Sequence, residues 1–224
     1  MEEYLFKKTA QEIAGKLNMI SKKWDGKEAI LEMKKAQYSQ WRQMEWIGFY
    51  FQFLCEKSLR KIMQIPGTKY GNVRFDGFKN FPWDFKAHIE NDVYGNRKTI
   101  VIINDKEAID NCIRDFTFVG IVIAVGTAEY NDRDRSFQNW VEELKGGKSK
   151  YEIERIERGA NSRLRKTSFY LRDVVFIRIT ESDLSFLGTY NQGRNSNGDK
   201  RRPKYMMDLS DLKNMKHYSL LELS

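Results

Sequence analysis

Apolar residues in the first part of the chain follow a pattern that predicts helix. Residues 3–63 contain no proline and few glycines. Within them, residues 39–63 carry a wide apolar surface that includes Trp41, Ile47 and Leu54, and we predict one long helix there with Ser39 as its N-cap. This segment is too apolar to stand alone, so it is expected to pack on a sheet.

The pattern then changes from helix to strand. Pro66 and Gly67 break the helix. Residues 72–78 and 81–89 have the aromatic and apolar composition of two strands, joined by a tight turn near 77–80.

Three further segments complete a recognisable unit. The apolar run 99–103 predicts a third strand, residues 105–116 an amphipathic helix, and the continuous apolar run 119–128 a central strand buried on both faces. The resulting order β-β-β-α-β predicts the α/β fold class, with a mixed central β-sheet flanked by helices behind a helical N-terminal region.

The rest of the chain is more polar and more basic. Its predicted elements are a helix at 132–147 that Gly146 and Gly147 stop, a basic helix and loop at 150–171, a strand at 173–179, a polar loop at 188–205 and a small closing element. No linker divides the chain. We therefore predict one domain, 1–224, made of a helical part (1–64), a catalytic core (65–130) and a basic recognition part with closing elements (131–224).

Charge and cysteine content narrow the class of protein. The chain has 39 Lys+Arg against 31 Asp+Glu, a formal net charge of +8, which favours a polyanionic partner. No apolar stretch is long enough for a transmembrane span, so no membrane association is expected. Cys55 and Cys112 are predicted to be buried free thiols in a reducing compartment, and the presence of only two histidines excludes a histidine-rich metal site.

An acidic constellation lies on the two predicted hairpin strands. Asp84 and Lys86 are two residues apart and therefore share one face of a strand, while antiparallel pairing brings Asp76 close to Asp84. Two carboxylates at that separation repel each other unless a cation lies between them. Mg²⁺ fits this role, with Asp76, Asp84 and the backbone carbonyl of Phe85 as its ligands.

Lys86 gives this constellation a catalytic interpretation. Its ammonium group would orient the attacking water or stabilise the charge that develops on a phosphate, while the metal lowers the pKa of its bound water. A metal-bound water and a nearby cation are the groups that phosphodiester hydrolysis requires. The alternative is an ordinary Asp–Lys ion pair on an exposed strand, which is a common arrangement.

Asp76, followed by Trp83-Asp84-Phe85-Lys86 on a hairpin within a mixed sheet, resembles the motif of the PD-(D/E)xK nucleases. Within that superfamily, the wider stretch of about residues 39–126 looks like type II restriction endonucleases that read short palindromes. Phe75 precedes Asp76 at the position where the motif has proline.

The resemblance implies a biological setting and a fourth site residue. It implies a homodimer on double-stranded DNA, a prokaryotic cytoplasmic location, and a cognate DNA methyltransferase in the same system. It also implies that a glutamate from an N-terminal helix approaches the metal. Glu45 fits that position, unless it points to solvent or pairs with Arg42 or Lys86.

Two basic segments are the candidate DNA-binding surfaces, because arginine and lysine neutralise phosphates and arginine and asparagine read base edges. The first contains Arg158, Asn161, Ser162, Arg163, Arg165 and Lys166; the second contains Arg194, Asn195, Ser196, Asn197, Lys200, Arg201 and Arg202. The alternative for both is a solvated charged face.

Three further side chains are weaker candidates for DNA contact. His88 shares the face of Asp84 and Lys86 and could touch a phosphate, although a satisfied strand histidine is the commoner case. Met44, with Gln43 beside it, could wedge between base steps, although packing of Met44 in the core is favoured.

Three functions remain open on the sequence. The first is a Mg²⁺-dependent type II restriction endonuclease. The second is a structure-specific repair or junction nuclease. The third is a basic nucleic-acid-binding protein without catalysis.

Overall fold

The computed structural model describes residues 1–71, 73–194 and 198–219, with side chains to residue 217. This part of the chain forms a mixed α/β structure, as the sequence predicts. Its α-helices are α1 (Glu2–Leu17), α2 (Gly26–Lys35), α3 (Trp46–Leu59), α4 (Lys106–Phe116), α5 (Ser136–Leu144) and α6 (Lys150–Glu157). Its strands are β1 (Lys23–Asp25), β2 (Lys69–Tyr70), β3 (Val73–Arg74), β4 (Gly77–Lys79), β5 (Phe81–Ile89), β6 (Ile100–Asp105), β7 (Phe118–Glu129), β8 (Ser168–Thr180), β9 (Gly188–Tyr190), β10 (Lys204–Asp208) and β11 (His217–Ser219).

The central sheet has the strand order β1-β8-β7-β5-β4, and β11 also pairs with β8. β5 and β7 are parallel, whereas the other neighbours are antiparallel, so the sheet is mixed. β7 lies between β5 and β8 and is buried along most of its length, as its continuous apolar composition predicts.

A second, smaller sheet packs beside the central one in the strand order β6-β10-β9. The predicted chain order β-β-β-α-β is present as β4-β5-β6-α4-β7, but β6 pairs with β10 and not with a strand of the central sheet. The expectation that β6 joins the main sheet is therefore wrong. The reason is the partner strand β10, which lies about a hundred positions further along the chain and has no local signature in the sequence around β6.

The N-terminal region is helical, but it is divided differently from the prediction. A short strand, β1, separates α1 from α2 and joins the edge of the central sheet through β8. The predicted helix 39–63 is also interrupted: Ser39–Arg42 is a separate 3₁₀ turn and α3 begins only at Trp46. Ser39 therefore caps no long helix. An apolar composition alone does not distinguish one long helix from two shorter segments that pack on the same core.

Two hydrophobic clusters lie on the two faces of the central sheet. One cluster joins α1, α2 and α3 to β5 and contains Trp46, Phe51, Trp83 and Phe85. The other lies between the central sheet and the unit of α4 and the second sheet. The sheet is therefore covered on both faces, which explains why its central strands have so few exposed positions.

Both cysteines are free and buried, as predicted. In the part of the chain that the structure describes, no helix combines the length and apolarity needed to cross a membrane.

Candidate active site

The β4–β5 hairpin brings Asp76, Asp84 and Lys86 together. In the antiparallel register Gly77 faces Trp83, so Asp76 lies beside the next step of β5, at Asp84. The Oδ2 atom of Asp76 accepts a 2.7 Å hydrogen bond from the backbone N–H of Phe85. Asp76 itself lies just outside β4, because the predicted strand 72–78 is broken between β3 and β4.

The segment before the hairpin holds Asp76 in place. Gln64 and Phe78 exchange two backbone hydrogen bonds of 2.8 and 2.9 Å, and Gly67 donates to the carbonyl of Phe75 at 3.0 Å. A Cβ atom on Gly67 would lie 2.4 Å from the carbonyl oxygen of Gly77, so only glycine permits this close approach. The backbone on both sides of Asp76 is thereby fixed.

Asp84 and Lys86 form a close ion pair on one face of β5. The Nζ atom of Lys86 lies 2.7 Å from Oδ2 of Asp84. Asn104, near the end of β6, donates a 3.0 Å hydrogen bond to the same oxygen. Asp84 is only 2% exposed, whereas 22% of the Lys86 side chain is exposed, so the site is open to solvent on the lysine side.

The opposite face of β5 anchors the strand in the core. Trp83 and Phe85 are fully buried, and the Trp83 ring stacks on Phe6 of α1 with a centroid separation of 5.6 Å. Charged and aromatic residues alternate in β5 because one face of the strand carries Asp84 and Lys86 and the opposite face packs in the core.

Electrostatics show that the two carboxylates interact strongly. Burial raises the pKa of the Asp76 carboxyl well above its usual value, and the adjacent Asp84 carboxylate raises it further. Burial by itself would lower the pKa of Lys86, but the charges of Asp84 and Asp76 outweigh it and the pKa ends above its usual value. Lys86 therefore stays cationic, whereas burial and the Asp84 carboxylate both disfavour the charged form of Asp76.

Helix α3 supplies a residue that the sequence prediction missed. The Nε2 atom of Gln52 lies 3.3 Å from both carboxylate oxygens of Asp76. Glu56 lies one turn further along α3, is half-buried and sits beside the hydroxyl of Tyr38, and burial raises the pKa of Glu56. The sequence signal was present: Gln52 is a polar residue inside the otherwise apolar run from Trp46 to Leu54.

The structure does not bring Glu45 to this site. Glu45 precedes the first residue of α3, its side chain is 62% exposed, and it forms an ion pair with Lys166. It lies about two helical turns before Gln52 along the chain. The expectation that apolar neighbours force Glu45 into a buried, metal-binding position is wrong, because the turn between Arg42 and Trp46 directs its side chain to the surface.

The donor set fits a hard divalent cation. Two carboxylates, Asp76 and Asp84, lie together, and the N–H and C=O groups of a strand residue point to the same edge, so the Phe85 carbonyl is directed to the side on which Asp76 lies. The side-chain oxygen of Gln52 would be a further ligand if its amide were flipped. Oxygen donors of this kind suit Mg²⁺. No cluster of three or more His, Cys, Asp or Glu side chains suited to a metal occurs in residues 1–71, 73–194 and 198–217, so such an ion would rely on carbonyl, amide or water oxygens as well.

His88 shares the face of Asp84 and Lys86 but is buried, and its Nε2 atom lies 2.9 Å from the carbonyl oxygen of Lys98. Burial lowers the pKa of His88. This arrangement agrees with the alternative of a satisfied strand histidine, and a contact with phosphate would require this hydrogen bond to break.

The first basic segment is held against α5 by a buried glutamine. The side-chain oxygen of Gln138 accepts hydrogen bonds from Ser162 at 2.9 Å and from Arg165 at 3.3 Å. Lys166 pairs with Glu45. Arg158, Asn161 and Arg163 are exposed, and Arg158 donates to the carbonyl of Glu154 at 3.1 Å.

The second basic segment follows β9 and ends beside the carboxylates of Asp105 and Glu107. Arg194 donates to the carbonyl of Gly198 at 2.7 Å, and Lys200 and Arg201 are exposed. Arg202 lies 2.9 Å from Glu107 and 3.5 Å from Asp105. The candidates Asn195, Ser196 and Asn197 lie outside the described residues.

Met44 and Gln43 lie just before α3. Met44 is partly buried and packs against the core, in agreement with the favoured alternative for this residue. Gln43 is exposed and lies 3.3 Å from Gln40.

Comparisons with protein-family models, curated proteins and solved structures found no match to this chain.

Proposed function

We propose that this chain is a Mg²⁺-dependent nuclease that hydrolyses phosphodiester bonds of double-stranded DNA. The observation that carries the proposal is the convergence of Asp76, Asp84 and Lys86 at the start of the β4–β5 hairpin, with Asp84 only 2.7 Å from Lys86. The site differs from an exposed ion pair, because Asp84 is buried and bonded to Asn104, and backbone hydrogen bonds of Gln64 and Gly67 fix the segment around Asp76.

The residues of the site divide the chemical work. Asp76 and Asp84 would hold the ion together with the Phe85 carbonyl, and a bound Mg²⁺ supplies an activated water and polarises the phosphoryl oxygens. Lys86 keeps its charge at neutral pH and is partly exposed, so its ammonium group can contact a phosphate oxygen and stabilise the charge that develops there. Asn104 orients the Asp84 carboxylate through its 3.0 Å hydrogen bond.

The net charge of +8 and the basic segments support a nucleic acid as the substrate. Duplex DNA, a palindromic site, a homodimer and a partner methyltransferase are proposed from the resemblance to type II restriction endonucleases. A two-fold dimer would place one active site on each strand of a palindrome.

A cleavage assay tests the proposal. Plasmid and linear phage DNA are incubated with the protein in Mg²⁺ or in EDTA, and the assay is repeated with Asp84→Asn, Lys86→Met and the control Glu143→Gln on the exposed side of α5. We expect Mg²⁺-dependent cleavage by the unmodified protein and by the control, and a loss of roughly 10²-fold or more in each site variant.

The products separate the candidate functions. Discrete fragments from linear duplex support a site-specific restriction endonuclease, whereas cleavage only at junctions or lesions supports a repair nuclease. Salt-dependent binding without cleavage supports a binding protein. Absence of Mg²⁺-dependent cleavage of both DNA and RNA would contradict the nuclease proposal.

A further inference from the structure

Lys204 directly follows the second basic segment and lies close to the candidate active site. It is the first residue of β10 and pairs with Asp105 of β6, the residue after Asn104. Asn104 in turn donates to Asp84 at 3.0 Å. The adjacent backbone is also fixed, because the N–H of Lys106 donates to the carbonyl of Pro203 at 3.1 Å.

The carboxylates nearest Lys204 are already engaged by other cations. Lys204 is half-buried, and burial followed by the positive charge of Lys86 lowers its pKa, while Asp84 and Asp105 act in the opposite direction. Lys86 already pairs with Asp84 at 2.7 Å, and Arg202 approaches Asp105. Lys204 is therefore a further half-buried cation beside carboxylates that other cations already pair.

Lys204 has no closer partner that would explain its position. No carboxylate among the described residues forms an ion pair with its ammonium group within 4.0 Å. A half-buried cation held near a second cation is costly unless an anion shares the space. Lys204 follows the second basic segment two residues after Arg202, so an anion that this segment binds from outside the chain can reach it.

We propose that Lys204 is a second phosphate-binding lysine of the site, which contacts a phosphate of the nucleic acid backbone next to the one that Lys86 receives. This inference rests on the proposed function for the identity of its ligand. Lys204 would then bind a phosphate close to the reacting one, whereas the residues of the second basic segment would contact the flanking phosphates of the DNA.

The test compares Lys204→Met with Lys204→Arg, which keeps the charge, and with Lys213→Met, which removes one exposed lysine downstream of β10. Binding of a fluorescent 30-base-pair duplex is measured by anisotropy in Ca²⁺ from low to moderate salt. Cleavage of plasmid is measured in Mg²⁺ under single-turnover conditions, and thermal melting confirms folding. Lys204→Gln replaces Lys204→Met if the latter does not fold.

We expect Lys204→Met to reduce the slope of log Kobs against log salt by about 0.9, the value for one phosphate contact. It should also slow cleavage at saturating protein by roughly tenfold or more. Lys204→Arg should keep the slope, and Lys213→Met should match the unmodified protein in both measurements.

The two measurements separate failure of this inference from failure of the proposed function. If the unmodified protein cleaves DNA but Lys204→Met keeps both the slope and the rate, Lys204 is not a phosphate ligand and the nuclease proposal stands. If nothing is cleaved but the slope falls, Lys204 contacts phosphate in a binding protein. If the duplex is not bound at all, both proposals are overturned.

Discussion

At the scale of single residues, the unusual feature of this protein is a pair of carboxyl groups with different environments. Asp84 is buried but is paired with Lys86 and Asn104. Asp76 accepts hydrogen bonds from Phe85 and Gln52 but has no lysine of its own within ion-pairing distance among the described residues. Burial and then the Asp84 carboxylate raise the pKa of Asp76, and the repulsion between the two acids opposes folding when no cation is bound.

We predict that Asp76→Asn stabilises the metal-free protein. The amide keeps an oxygen that can accept the hydrogen bond from Phe85 and removes a charge beside Asp84. The gain at neutral pH should be on the order of 1 kcal/mol, or roughly 2–4 °C in Tm for a chain of this size. The measurement is thermal melting in EDTA.

The pH dependence and a second variant control this prediction. A carboxyl whose pKa is raised on folding contributes stability that is fully present below its unfolded value of about 3.9 and is lost as the pH rises through the folded value. The advantage of Asp76→Asn should therefore shrink in acid. Asp84→Asn, which leaves Lys86 without its partner, should destabilise instead. A lower Tm for Asp76→Asn at pH 7 would refute the proposed repulsion.

At the scale of elements, the pairing of β7 with β8 sets the geometry on which β5 rests. The register shifts between Val125 and Gly126 of β7, where a bulge interrupts the antiparallel ladder. At this bulge a Cβ atom on Gly126 would lie 2.1 Å from the carbonyl oxygen of Tyr170 and 2.8 Å from the Phe169 ring. The backbone cannot move away easily, because Phe169 is fully buried.

We therefore predict that Gly126→Ala destabilises the fold by about 1–3 kcal/mol through overpacking. The matched control is Gly15→Ala in α1, where an added Cβ meets nothing within 4 Å, and where alanine should stabilise the helix by about 0.5–1 kcal/mol. Urea unfolding of both variants gives the two free energies. Equal effects of the two substitutions would show that the close approach at the bulge is not rigid.

Some elements could be predicted from the local sequence pattern alone. Alternation in residues 81–89 and the apolar run at 119–128 correctly predicted β5 and β7, and the spacing in 105–116 correctly predicted α4. The prediction was wrong where partners come from far away in the sequence. β1 is only three residues long and exists because β8 offers it an edge, and β6 joins β10 in a separate sheet.

At the scale of the whole molecule, the candidate site is built from residues of several separate elements. The hairpin provides Asp76, Asp84 and Lys86, α3 provides Gln52, β6 provides Asn104, and β10 places Lys204 nearby. A ligand that binds the two carboxylates would therefore link the helical layer, the central sheet and the second sheet.

We predict that Mg²⁺ raises the Tm of the unmodified protein. If the Kd is about 1 mM, 10 mM Mg²⁺ stabilises by about 1.4 kcal/mol, which corresponds to a shift of roughly 3–6 °C. EDTA should reverse the shift. Asp84→Asn, measured against its own metal-free Tm, should show no shift beyond that of NaCl at equal ionic strength. Equal Mg²⁺ shifts for both proteins would place the ion elsewhere.

The sequence by itself determined the faces of β5, because side chains alternate along a strand whatever surrounds it. It also predicted that a hairpin brings Asp76 close to Asp84 and that Trp83 and Phe85 point into the core. Only the tertiary structure decided which more distant residues complete the site. Gln52 is brought to Asp76 by the packing of α3, whereas Glu45 lies before the first residue of α3, where its exposed side chain pairs with Lys166. Asn104 and Lys204 arrive through pairing with a strand far along the chain, and a contact of that kind depends on the path of the whole backbone.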